Sequence, residues 1–125
     1  MKKRILVVDD NPSMRELLRL ILEASGYEVS EAPHGWSAMA QVEDSVPDLV
    51  MTDMMMPIMD GEQLVRRLRS NSRTAYVPIL VLSANPNARD IALKADAVLG
   101  KPFNRASLLE TVGSLLGQDR AIQST

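Results

Sequence analysis

Four apolar runs in this chain each end in a polar group of a kind that phosphorus chemistry uses. Asp9 and Asp10 follow Ile-Leu-Val-Val, Asp53 follows Asp-Leu-Val-Met-Thr, Ser83 follows Val-Pro-Ile-Leu-Val-Leu, and Lys101 with Pro102 follows Ala-Val-Leu-Gly. Three carboxylates gathered at one edge repel one another and raise each other's pKa, a conflict that a bound divalent cation removes. An all-oxygen set with few protein donors suits Mg²⁺, which keeps several waters and also takes phosphate oxygens. Lys101 offers a point charge for a phosphoryl group, and Ser83 a hydroxyl donor. A carboxylate is also a nucleophile toward phosphorus. Asp53, single at the end of its run, is the candidate for that role, and the pair Asp9-Asp10 reads as metal ligands.

Taken singly, each aspartate has an ordinary alternative, since an aspartate after a strand often starts a turn or caps a helix. Lys101 could equally be a surface lysine and Ser83 an N-cap. It is the joint placement of all of them at the ends of apolar runs that carries the chemical reading. His34 falls in the loop after the second run, away from this edge, and reads as a solvent-exposed loop residue.

Such a site needs strands that end side by side. Residues 4–9, 27–32, 48–53, 77–83 and 97–101 read as strands, and the first, third and fourth are nearly continuous in Val, Ile, Leu and Met. Strands buried on both faces of a parallel sheet have that composition. Between them lie helical stripes: Met14, Leu17, Leu18, Ile21 and Leu22; Leu64, Val65 and Leu68; Leu108, Leu109, Val112, Leu115 and Leu116. A weaker helix over 35–44 uses Trp36, Met39 and Ala40, and a short fourth helix is expected over roughly Pro86 to Lys94. Asn11-Pro12 suits an N-cap and first helical position, Asp60 with Gln63 a capping box, and Gly26 a helix exit. Alternating strands and helices predict a doubly wound α/β sheet with helices on both faces, whose ligands lie beyond the carboxyl ends of the strands.

At 125 residues and 46% hydrophobic, the chain has the size and composition of one folded domain. Its net charge of −2 argues against a general nucleic-acid surface, which is basic. The absence of cysteine excludes disulfides, thiol catalysis and cysteine-based zinc sites. No apolar run approaches the roughly 20 residues of a membrane helix, and no signal-peptide pattern precedes the first strand, so a cytoplasmic location is expected. Residues 118–125 lose the apolar period and are expected to form a frayed tail after a domain spanning 1–117.

The pieces ILVVDDN, GYEVSEA, PDLVMTDMMMPIMDGEQL, PILVLSA and GKPFN, spread from about Lys3 to Leu116, resemble the receiver domain of bacterial two-component response regulators. The resemblance implies a flavodoxin-like (βα)5 fold with strand order 2-1-3-4-5. It implies a phosphoryl-accepting Asp53 and Mg²⁺ held by Asp10, by Asp53, by the backbone carbonyl of Met55, and by Asp9 directly or through water. Ser83 and Lys101 would hold the phosphoryl oxygens. Pro102 would follow a cis bond, and Pro57 would belong to the turn into the third helix. The implied partners are a sensor histidine kinase or a phosphotransfer protein and a downstream protein target. A phosphorylation-dependent homodimer is also among them, with neither direct DNA binding nor membrane insertion. The implied form is a stand-alone, chemotaxis-type domain. It is no enzyme beyond its own phosphorylation and dephosphorylation.

The sequence departs from that family at particular positions. Val98 stands three residues before Lys101, where many receivers carry the switch aromatic. Eighteen positions separate Ser83 from Lys101, about one helical turn fewer than is usual in the family. Met55 and Asn85 flank the path expected for hydrolytic water, and a bulky Met55 is expected to slow phosphate loss. Two alternatives accompany the main reading. One is a degenerate receiver that binds partners without phosphorylation. The other is a Mg²⁺-dependent phosphohydrolase with an aspartate nucleophile, which Met55 disfavours by occupying its acid/base position.

Overall fold

The five segments read as strands form one sheet: β1 (Arg4–Val8), β2 (Glu28–Ala32), β3 (Leu49–Asp53), β4 (Ile79–Ser83) and β5 (Ala97–Gly100). The computed structural model describes residues 2–86 and 94–123, with side chains as far as Gly117. All strand pairings are parallel and the order is β2-β1-β3-β4-β5, as the resemblance implied. Every residue of β3 and β4 is buried, which is why those runs contain no polar alternation. The edge strand β2 does alternate.

Four helices accompany them among the described residues: α1 (Pro12–Ala24), α2 (Gly35–Asp44), α3 (Gly61–Ser70) and α4 (Arg105–Gln123). The short helix expected over Pro86–Lys94 falls on 87–93, outside the described residues. Because successive strand residues point to opposite faces, the sheet builds two cores. Leu6, Val8, Val50, Ile79 and Val81 pack with α2 and α3. Ile5, Val7, Leu49, Met51, Leu80 and Leu82 pack with α1 and α4.

The caps follow the sequence closely. The Asn11 side chain accepts from the N–H groups of Ser13 and Met14 at 2.9 and 3.2 Å, with Pro12 opening α1. Asp60 and Gln63 form both halves of a capping box at 3.1 and 2.9 Å. Gly26, at φ +95°, ends α1 while its N–H bonds Glu23 O and the N–H of Tyr27 bonds Leu22 O. That pairing closes the helix through a left-handed residue that glycine adopts without a Cβ penalty.

Some faces differ from expectation. In α2 the buried residues are Gly35, Ala38 and Val42, whereas Trp36 is half exposed and Ala40 exposed. Leu17, counted in the apolar stripe of α1, is also half exposed. Exposed His34 is the N-cap of α2, its Nδ1 accepting from the Ser37 N–H at 3.1 Å. The backbone of α4 continues through Gln123, so 118–123 is helical where a frayed tail was expected.

Candidate functional site

The register of the sheet lines up the four strand ends. Val8 pairs with both Ala32 and Thr52, Asp53 with Leu82, and Ser83 with Gly100. Asp9, Asp53, Ser83 and Lys101 therefore emerge along one edge. Carboxylate oxygens of Asp9, Asp10 and Asp53 lie within 4.8 Å of one another.

Each group is held by its own surroundings. The Asp9 N–H donates to Ala32 O at 3.2 Å, the Asp9 carbonyl accepts from Arg15 Nη1 at 2.7 Å, and Asp9 Oδ1 accepts from the Asn11 N–H at 2.9 Å. Its other oxygen, Oδ2, is buried and has no hydrogen-bond partner, a condition no other buried side-chain polar atom shares among the described residues. Burial pushes the Asp9 carboxyl above its ordinary value. The Asn11 N–H opposes this, Asp53 adds to it, Lys101 opposes and Asp10 adds again. A buried carboxylate oxygen without a protein donor, crowded by two more carboxylates, fits cation binding better than it fits a structural role.

Asp53 is buried, and Lys101 Nζ donates to its Oδ1 at 2.6 Å. The Lys101 N–H donates to Ser83 O at 2.8 Å, tying the ends of β4 and β5 together. Ser83 is buried beside them. The peptide bond between Lys101 and Pro102 is cis. On the α3 side, the Gly61 N–H donates to Met54 O at 2.8 Å, and a Cβ at Gly61 would come within 2.7 Å of the Asp53 carbonyl. Only a glycine lets α3 start this close to the end of β3.

The loop from Met55 to Asp60 sends some side chains into the core and leaves others exposed. Met54, Met56 and Met59 enter the core shared by α2 and α3, while Met55 and Ile58 are exposed. Pro57 is exposed, and its carbonyl accepts from the Met59 N–H at 2.8 Å across Ile58. Val98 is half buried against the same core, so no aromatic ring occupies that position. The sequence reading missed the turn at Ile58 and the role of Arg15, because neither carries a local signal such as glycine or a capping residue.

With this geometry in view, the pattern of the response regulator receiver domain matches residues 5–113. The chain belongs to that family. It is 38% identical over 117 residues to the DNA-binding dual master transcriptional regulator RpaA of Synechocystis, covering 90% of this chain and 48% of that protein. This chain thus spans about half the length of that relative. The chemotaxis protein CheY4 of Vibrio cholerae superposes with a TM-score of 0.87 at 32% identity, over 92% of this chain and 99% of that one. The receiver domain of sensor histidine kinase PA1611 from Pseudomonas aeruginosa superposes with a TM-score of 0.87 at 29% identity, over 94% of this chain and 99% of that one. That structure has a magnesium ion coordinated in its active-site cleft. The chain is thus a receiver of the kind used in two-component signalling. Among the described residues no helix is long and apolar enough to cross a membrane.

Proposed function

We propose that this receiver accepts a phosphoryl group on Asp53 in a Mg²⁺-dependent reaction and switches its protein contacts in response. The observation that carries the proposal is the buried, unpartnered Asp9 Oδ2 facing Asp10 and Asp53 in a cluster that also holds Lys101. Asp10, Asp53 and the Met55 carbonyl would hold the cation, with Asp9 binding directly or through water. When bound, Mg²⁺ neutralises the crowded carboxylates and the phosphoryl oxygens.

An Asp53 oxygen attacks phosphorus as the bond to the donor's imidazole nitrogen breaks, and the imidazole leaves with that electron pair. Lys101 gives up its contact with Asp53 Oδ1 and stabilises the equatorial oxygens instead. The Ser83 hydroxyl donates to one of them. Water later hydrolyses the acyl phosphate at the same centre. The donor is a sensor histidine kinase or a phosphotransfer protein in the cytoplasm, and the signal passes to a downstream protein target or a second copy. The phosphorylated state biases the segment after Ser83. Val98 supplies no ring for a rotamer switch, so backbone shifts carry that signal.

Incubation with Mg²⁺ and a small phosphodonor tests the proposal. The expected product is one acid-stable, base-labile phosphate that disappears in Asp53→Asn. A folded protein that takes no label removes the reading, and label that survives Asp53→Asn removes Asp53 as the acceptor.

A further inference from the structure

Ile58 occupies a conformation that isoleucine disfavours. Its φ is +71°, and the Met59 N–H reaches back to the Pro57 carbonyl at 2.8 Å, which closes a γ-turn of the rare positive-φ kind. A β-branched residue there is strained, and glycine or asparagine would adopt the turn more readily. The isoleucine side chain gains nothing from burial in return, since it is 86% exposed. Backbone geometry therefore gives no reason for isoleucine at this position, which leaves its side chain as the feature in use.

That side chain borders an open groove of about 250 Å³ between α2 and α3, lined by Trp36, Ile58, Met59, Gln63, Arg66 and Arg67. Trp36 is half exposed, and the Arg67 guanidinium lies 4.5 Å from its ring centroid. Arg66 is largely exposed and pairs with Glu62 at 3.1 Å. The lining thus offers an indole, an isoleucine and a methionine as apolar surface, with two guanidinium groups, of which that of Arg66 is shared with Glu62 at the exposed rim. Aromatic and arginine side chains together are the usual anchors of protein interfaces.

We infer that the α2–α3 groove is a docking site for a partner protein's acidic segment, which inserts one large aliphatic or aromatic side chain between Trp36 and Ile58 and sets flanking carboxylates against Arg66 and Arg67. Charge decides the occupant. Two arginines over an apolar floor complement carboxylates beside an apolar anchor, and a domain of net charge −2 does not build a general phosphodiester surface. The groove's lining shares no residue with the carboxylate cluster, so the docking is assayed on the unphosphorylated protein.

Trp36 is the only tryptophan of the chain and reports directly on the groove. The probe is a pool of amidated hexapeptides with one central Leu, Ile, Phe or Trp and flanking Asp and Glu. Labelled peptide is followed by anisotropy, and Trp36 emission is followed with the Trp-free members. Saturable binding that Arg67→Glu weakens at least tenfold is expected. Ile58→Gly should weaken it several-fold while leaving the unfolding midpoint equal or higher, because glycine relieves the turn. Absence of saturable binding at millimolar peptide overturns the inference. So does equal binding of a lysine-flanked pool or of a single-stranded oligonucleotide, or full binding by both folded variants.

Discussion

Where the strands begin, Asp48 and Asp96 each exchange a reciprocal pair of bonds with a neighbouring strand. Asp48 Oδ2 accepts from the Arg4 N–H at 2.7 Å while the Asp48 N–H donates to Arg4 O at 2.8 Å. Asp96 Oδ2 accepts from the Ile79 N–H at 2.7 Å, and the Asp96 N–H donates to Ile79 O at 2.9 Å. Arg69 joins the second pair through Asp96 at 2.7 Å and also donates to the carbonyls of Lys94, Ala75 and Val77. Where the strands end, Asp9, Asp10 and Asp53 face one another with Lys101 paired to Asp53, and one Asp9 oxygen has no partner at all. The same residue type serves the fold at one end, where backbone donors satisfy it. At the other end three carboxylates crowd together, and the protein supplies no donor for the buried Asp9 Oδ2.

The largest expected effect comes from breaking the entry end. Asp96→Ala leaves the Ile79 N–H and the Arg69 guanidinium without their carboxylate and should cost about 2 kcal/mol of stability, read from denaturant midpoints at constant slope. Its response to Mg²⁺ should not change. A loss of Mg²⁺ response without loss of stability would erase the distinction between the two ends.

At the exit end the sign reverses. Asp9→Asn removes a buried charge from a repulsive cluster and should stabilise the metal-free protein modestly, read from the same denaturant midpoints. The pH dependence follows the same logic. The folded Asp9 carboxyl binds its proton more tightly than the unfolded one, whose value is near 3.8. Its contribution is therefore fully present below 3.8 and is lost as pH rises through the raised folded value. Without divalent cation, wild type should lose stability relative to Asp9→Asn across that rise. A difference between them that does not change with pH would contradict the crowding argument. The smallest effect concerns Met55, exposed beside Asp53. Met55→Asn should shorten the lifetime of the phosphorylated form by roughly threefold, less than 1 kcal/mol in barrier. An unchanged lifetime would separate Met55 from the path of water.

The exit end was legible in the sequence because strands buried on both faces leave uninterrupted apolar runs, and polar groups that stop such runs stand out. The caps at Asn11 and Asp60 were legible because capping is local. The entry end was not. Asp96 is 17 residues from Ile79 and Arg69 is 25 from Lys94, and no periodicity links residues so far apart. In α2 the large Trp36 suggested the wrong face, since small residues, Gly35 and Ala38, pack closely beneath the helix while the indole lies under Arg67. The turn at Ile58 lacks the glycine or asparagine that would announce a positive φ.

The most direct measurement of the central contrast is the gain in thermal stability on adding Mg²⁺, compared across wild type, Asp96→Ala and Asp9→Asn. A ligand held by the folded state alone raises stability with its concentration over its dissociation constant. Wild type and Asp96→Ala should gain equally despite their different starting stabilities, and Asp9→Asn should gain far less despite its higher one. An equal gain in Asp9→Asn, or none in wild type, would contradict the assignment of the exit-end carboxylates to a cation.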